Sequence, residues 1–375
     1  MTKRNFDKQL LFLLIILSII SILTIYSAQN ILPNYLQNLY VKQALWYILG
    51  FLTIIIILKF NINWIFNHIW IFYIIGNLLL LLLLIIGKPI NGAKCWFEIY
   101  GIGSFQPSEF MKLVLIILLS KEVDNFNKDN KNPSVLDEFI LLIKIGLIVL
   151  VPSILTFLEP DTGNVLIYLL ITLIILLISG IRYGWFLCLF FIVASIIIAI
   201  VSLYFLDMEA FKSILGDDFF LRINRLLDWS KKDGYQLEKG LVSIGSGGLL
   251  GRGIKGVPLY FPEAQTDFIF AVYASSTGFI GSIFLITILT IFDLRIIYIA
   301  KEAKNKLNKY FISGVLGILI FQQFQNIAMT FGLMPITGIT LPFISYGGSS
   351  LILFMIMIGI ILNFSAQKKT DKINF

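Results

Sequence analysis

The run LLFLLIILSIISILTIYSA, from Leu10 to Ala28, covers 19 residues without a charge. A helix of that length crosses the hydrocarbon core of a bilayer. Comparable apolar runs, about 18 to 20 residues each, recur to the end of the chain. A cleaved secretory signal is the other reading of a first apolar run, but its length and the spans behind it favour a retained helix. Composition agrees: of 375 residues, 58% are hydrophobic and 14% charged, with a mean hydropathy of +0.90. A soluble fold of this size could not bury so much apolar surface, and its wet side would need more charge. The expected fold is therefore all-α and membrane-integral, a single polytopic unit over residues 1–375. About ten spans are placed near 9–28, 43–58, 69–86, 105–120, 139–158, 164–180, 184–206, 266–292, 310–332 and 343–364. Trp46, Trp64, Trp70 and Trp185 fall near span ends, where an amphipathic ring suits the headgroup layer.

Loop charges set the orientation. With the N-terminus cytoplasmic, that side collects Lys3, Arg4, Lys8, Lys59, Lys121, Lys128, Lys131, Arg182, Arg295, Lys301, Lys304, Lys306, Lys309, Lys368, Lys369 and Lys372. The short outer loops hold only Lys42, Lys88 and Lys94, as the positive-inside rule requires. Both termini are then cytoplasmic, and one long extracytoplasmic loop, 207–265, joins spans seven and eight. That loop carries Lys212, Arg222, Arg225, Lys231, Lys232, Lys239, Arg252 and Lys255. They form either a solvated surface or a site for an anionic ligand, and a loop so long between compact helices is usually functional. The net charge of +7 is ordinary beside anionic lipid, and nothing points to nucleic acid. Cys95 and Cys188 have no metal spacing and predict no disulfide. His68, beside Trp64 and Trp70, reads as an interfacial residue.

Four polar segments interrupt the Ile, Leu and Phe on the outer side. The first is Asn91-Gly92-Ala93-Lys94-Cys95-Trp96 with Gln106-Pro107-Ser108-Glu109-Phe110-Met111-Lys112. Pro107 and Glu109 suit a first helical turn. Glu109 and Lys112, three apart, share a face and are expected to pair; the pair is either structural or functional, since intramembrane charge marks function. The second, Glu159-Pro160-Asp161-Thr162-Gly163, reads as a helix cap or as two acids able to hold a divalent cation. The third runs from Gly234-Tyr235-Gln236 through the glycine-rich Ser243–Gly253 stretch to Pro262-Glu263-Ala264-Gln265-Thr266-Asp267. Glycines can wrap phosphate, but the βαβ context of a dinucleotide fingerprint is missing, which leaves a re-entrant or surface loop. Asp267 opens a span, where partial desolvation raises a carboxylate toward the range of a general base. It equally suits a helix N-terminus. The fourth, Met334-Pro335-Ile336-Thr337-Gly338 through Ser350, is a broken helix mouth, tolerated only in protein or a wet cavity.

Taken together, Asn91–Lys94 with Trp96, Gln106–Glu109 with Lys112, Pro160-Asp161 with Gly163, Pro262-Glu263 with Thr266–Phe270, and Leu341–Ser350 resemble the SEDS (shape, elongation, division and sporulation) family. The motifs occur in the family's order from about residue 90 to 350, and Met334–Gly338 looks more like the elongation member RodA than the division member FtsW. The resemblance implies a processive glycosyltransferase that polymerises lipid II on the outer face of the bacterial cytoplasmic membrane. Asp267 would take the proton of the attacking sugar hydroxyl, and undecaprenyl pyrophosphate would leave. Lys94, Lys112, Arg222, Arg225 and Arg252 are candidates to neutralise that diphosphate. Trp96, Glu109 and Ser345 complete the expected substrate-binding set. A divalent cation (Mg or Mn) could assist, with no dedicated cage, and a class B penicillin-binding protein would supply the crosslinking.

The departures are specific. Ser275 and Ser276 stand where the family usually has two glutamates, Cys95 replaces an arginine, Glu159 a glutamine, and Gly240 a serine. Two other classes compete. A lipid-precursor flippase also suits ten spans with broken helices, although the polar groups gather at one face. A non-catalytic scaffold for a transpeptidase is kept open by the two missing glutamates.

Overall fold

A computed structural model of the chain describes residues 6–87, 94–99, 103–217, 220 and 234–371. Ten long helices occupy the expected spans: Lys8–Ala28, Leu39–Lys59, Ile69–Ile86, Pro107–Asp129, Val135–Leu158, Thr162–Ser179, Tyr183–Leu206, Ile269–Glu302, Lys306–Thr330 and Gly348–Asp371. Among the described residues, nine helices are long and apolar enough to cross a membrane. Pro107–Asp129 is not one of the nine, because Glu109, Lys112, Lys121, Glu122 and Asp124 interrupt it. It is nonetheless the centre of the bundle, with every residue from Met111 to Ser120 buried. The helices 69–86, 135–158, 162–179, 306–330 and 348–371 all pack against it.

Local sequence signals set the helix ends. Asp7 caps the first helix by accepting from the Leu10 amide at 2.9 Å. Ser134 and Asp137 form a reciprocal capping box at the start of 135–158, which satisfies two otherwise orphaned amides. A bidentate Arg295–Asp7 ion pair, closest at 2.6 Å, fastens the first helix to 269–302. Helix Tyr183–Leu206 lies at the opposite extreme, with no buried residue. It is tied back by the Trp185 indole, which donates to Glu138 Oε2 at 2.8 Å.

Three features depart from the expected spans. The last helix starts at Gly348 rather than 343, because residues 341–347 are taken up by irregular backbone. Phe97–Ile99 and Gly103–Phe105 form a small antiparallel hairpin, with Phe97 opposite Phe105, where a loop was expected. Helix 269–302 runs ten residues beyond its expected end and is broken at Gly278, whose φ of 70° and ψ of −165° are not helical.

The break explains the glycine-rich stretch. The Arg252 and Gly253 amides donate to the carbonyls of Ser275 and Ser276 at 3.0 Å each, and the Phe279 and Ile280 amides donate to Gly248 and Leu249 at 2.9 and 3.2 Å. The loop thus restores the backbone hydrogen bonds that the broken helix cannot make for itself, as membrane depth demands. The approach is so close that a Cβ on Gly278 would sit 2.3 Å from the Gly251 nitrogen. The Arg252 and Gly253 amides are committed to protein carbonyls, so the phosphate-wrapping alternative gives way to a loop that seals a helix break.

Candidate active site

Four segments far apart in sequence meet at one end of the bundle. Asp161 joins two of them. Its Oδ2 accepts from Gln106 Nε2 at 2.9 Å, Ser108 Oγ at 3.0 Å and Asn164 Nδ2 at 2.7 Å, while Oδ1 caps helix 162–179. Tyr168 strengthens the same join by donating to the Ser108 carbonyl at 2.8 Å. The Gln106 amide reaches Ser349 Oγ at 3.3 Å, bringing in the last helix. Gly163 packs so closely on the 335–339 segment that a Cβ there would lie 3.1 Å from the Thr337 carbonyl oxygen.

Asp267 sits at the focus. Three successive carbonyls leading to it are each held from another element: Gln265 by the Tyr346 amide at 2.9 Å, Thr266 by Ser345 Oγ at 2.7 Å, and Asp267 itself by Asn326 Nδ2 at 2.8 Å. Phe268, fully buried against Phe261, fixes the following residue. The backbone is therefore pinned, while among the described residues no hydrogen bond holds the carboxylate. No side chain caps helix 269–302, whose N-cap position is Phe268, so the helix-capping reading of Asp267 finds no bond to support it. Its surroundings are protein on most sides. Burial, and secondarily the charge of Glu263, push its carboxyl up to about 7. Glu263 is folded back in a positive-φ conformation (53°), accepting from Thr266 Oγ1 at 2.7 Å.

The opposite wall is the irregular 335–339 segment. Gln325 Nε2 holds the Pro335 carbonyl at 2.9 Å and the Thr337 hydroxyl at 3.2 Å, and Asn326 Nδ2 holds the Ile339 carbonyl at 2.8 Å. Gly338, at φ 70°, faces the carboxylate: a Cβ there would lie 3.5 Å from Asp267 Oδ2. Further along, Ser21 and Gln43 donate to the Ile344 and Ser345 carbonyls at 2.8 and 3.2 Å, and the Tyr47 hydroxyl donates to Phe343. Buried backbone without regular structure is thereby satisfied by side chains, the condition for its presence at membrane depth.

The expected substrate residues divide. Lys94 and Trp96 are partly exposed and flank the buried Cys95, whose thiol donates to the Glu159 carbonyl at 3.2 Å. Arg252 is exposed on the loop that seals the helix break. Lys112 pairs with Glu109 at 2.6 Å, as the spacing predicts, with side chains only 2% and 11% exposed. Ser345 has both capacities of its hydroxyl committed, accepting from the Leu341 amide at 2.8 Å and donating to Thr266, so in this arrangement it holds the backbone beside Asp267. Arg222 and Arg225 lie outside the described residues. Glu159 is fully buried, and burial followed by the nearby Asp161 charge pushes it up to about 8. Among the described residues, no group of three or more His, Cys, Asp or Glu could hold a metal ion.

Gln325 and Asn326 escape a reading based on motifs. Their signal is Gln322, Gln323, Gln325 and Asn326 crowded into one apolar span, where polar side chains mark function or interhelical bonding. Ser275 and Ser276 are buried, and their hydroxyls meet those of Ser246 at 3.4 Å and Ser27 at 2.6 Å. Hydroxyl pairs therefore occupy the two positions where the family resemblance expects glutamates. Gly240 touches the site from behind, since a Cβ there would lie 2.9 Å from the Phe268 ring.

The sequence matches the FtsW/RodA/SpoVE family, described as cell cycle protein, over residues 7–370. It is 35% identical to the probable peptidoglycan glycosyltransferase FtsW of Wigglesworthia glossinidia brevipalpis, covering 98% of this chain and 95% of that one. It is 31% identical to the peptidoglycan glycosyltransferase MrdB of Helicobacter pylori, covering 96% and 90%. The fold superposes on a component of a solved peptidoglycan synthase complex with a TM-score of 0.78, at 25% identity over 97% of this chain and 98% of that one. It superposes on the rod shape determining protein RodA of Thermus thermophilus with a TM-score of 0.69, at 26% identity over 97% of each chain. Relatives of both the FtsW and the rod-shape type are thus among its matches. With nearly the whole chain inside the match, this multi-pass membrane protein belongs to the FtsW/RodA/SpoVE family, the SEDS proteins.

Proposed function

We propose that this protein is a peptidoglycan glycosyltransferase that polymerises lipid II, with Asp267 as its general base. The observation that carries this is a carboxylate reached by a backbone stretch, Gln265 to Asp267, whose three carbonyls are held from other elements, while no hydrogen bond to the Asp267 carboxylate occurs among the described residues, in surroundings that push it up to about 7. A general base is most effective near the working pH, and it must reach its proton without first breaking a bond of its own. The ionised Asp267 takes the proton from the sugar hydroxyl of an incoming lipid II. The hydroxyl oxygen bonds to the anomeric carbon of the growing strand as the bond to the diphosphate breaks, and undecaprenyl pyrophosphate leaves.

Lys94 and Arg252, with Arg222 and Arg225, supply positive charge for that diphosphate. Lys112 keeps its charge engaged with Glu109, so it shapes the site's field instead of presenting a free ammonium. The site opens on the extracytoplasmic face of the cytoplasmic membrane, with both termini inside, as the loop charges direct. A class B penicillin-binding protein is the proposed partner; the superposition on a component of a peptidoglycan synthase complex supports it. The test is polymerisation of purified lipid II by the purified protein, alone and with its transpeptidase. A scaffold would bind the partner and make no polymer.

A further inference from the structure

We propose that Gln325 and Asn326 are positioning residues for Asp267, setting the gap between its carboxylate and the 335–339 wall; this rests on the general-base reading above. One amide nitrogen, Asn326 Nδ2, bridges the two sides of the gap, donating to the Asp267 carbonyl and to the Ile339 carbonyl at 2.8 Å each. The neighbouring Gln325 holds the same wall at Pro335 and Thr337. Between these fastenings lies Gly338, at φ 70°, where an added Cβ would lie 3.5 Å from Asp267 Oδ2. The two amides project from the last turns of a rigid helix, so helix and gap share one frame. Asn326 is fully buried, and its Oδ1 has no hydrogen-bond partner among the described residues. Leaving a buried acceptor unpaired is costly, and an apolar side chain of similar size would avoid the cost. What retains the amide is the pair of bonds made by its nitrogen.

A sugar hydroxyl must come within hydrogen-bond reach of Asp267 to lose its proton, and displacement of a reacting group by about 1 Å can cost on the order of 10²-fold in rate. Asn326→Ala removes the bridge and lets the wall and the carboxylate drift apart. With full-length protein bound to its transpeptidase and lipid II as substrate, kcat should fall about 10- to 100-fold while KM stays within about twofold. The acidic limb of the rate profile should move below pH 7, because water then reaches Asp267. Gln325→Ala, which keeps the Asn326 bridge, should give a smaller kcat loss in the same direction. It also decides the matter if Asn326→Ala does not fold. Wild-type kcat with an unmoved acidic limb in a folded Asn326→Ala variant overturns the proposal, as does a rate loss that tracks loss of folded protein alone. Asp267→Asn run in parallel separates the two levels. If it polymerises normally, the general-base reading falls. If it is inactive while the amide variants match wild type, only the positioning role falls.

Discussion

The elevated Asp267 carboxyl makes a linked pair of predictions, one for rate and one for stability. If the working form is the ionised one and its midpoint is about 7, the ionised fraction is about 0.9 at pH 8 and about 0.01 at pH 5. Initial rates of lipid II polymerisation should therefore fall about 90-fold across that range. The sign for stability is the reverse. A carboxyl raised from 3.8 to about 7 in the folded protein favours folding while protonated, and that advantage disappears as pH climbs through the same interval. By linkage the rise is worth at most about 4 kcal/mol, and partial exposure of Asp267 lowers it. Asp267→Asn is neutral throughout. Its melting temperature in detergent should match wild type near pH 4 and exceed it at pH 8, although polymerisation is lost. A flat rate profile between pH 5 and 8, or a variant less stable than wild type at pH 8, would refute this reasoning.

Other perturbations follow from single contacts. Gly278→Ala places a methyl group 2.3 Å from the Gly251 nitrogen at φ 70°; thermal unfolding should show a loss of more than 2 kcal/mol, in the range of core overpacking, whereas a neutral effect would contradict the sealed break. Removing one partner of the buried Glu109–Lys112 pair should cost about 3 to 5 kcal/mol, and the double variant Glu109→Gln with Lys112→Met should recover most of it; no recovery in folded protein would assign one partner directly to substrate. Cysteine placed at Lys231 should be labelled from outside intact cells, and cysteine at Lys306 only after permeabilisation. The opposite pattern would move the site to the other face.

Apolar runs disclosed the ten helices, because crossing a bilayer fixes both length and composition. Even the charged 107–129 helix was legible, through its Pro107 start and its Glu109–Lys112 spacing. The break at Gly278 was not. A single glycine inside an apolar run carries no local sign that another backbone will dock there, and the partner loop lies some 25 to 30 residues earlier in the chain. Asp267 could be picked out by its place at a span mouth, but its freedom from capping depends on Phe268 taking the N-cap position. The amides at 325 and 326 were hidden for a different reason. Their bonds reach the carbonyls of Asp267, Pro335 and Ile339, and such side-chain-to-backbone contacts leave no pattern at the acceptor, since every residue has a carbonyl. The glycine-rich stretch resembled a phosphate cradle for the related reason that its amides are visible in sequence and their acceptors are not.

In the proposed reaction Asp267 removes the proton from the attacking hydroxyl. The most direct measurement is lipid II polymerisation by the Asp267→Asn variant, shown to be folded, membrane-inserted and bound to its transpeptidase, beside wild type at pH 8. The amide keeps the size of the side chain and its capacity to accept a hydrogen bond, but it cannot act as a carboxylate base. Polymer formation should fall by about 10²- to 10⁴-fold while lipid II binding is retained. Polymer at a near-normal rate from that variant would remove Asp267 from the proton transfer.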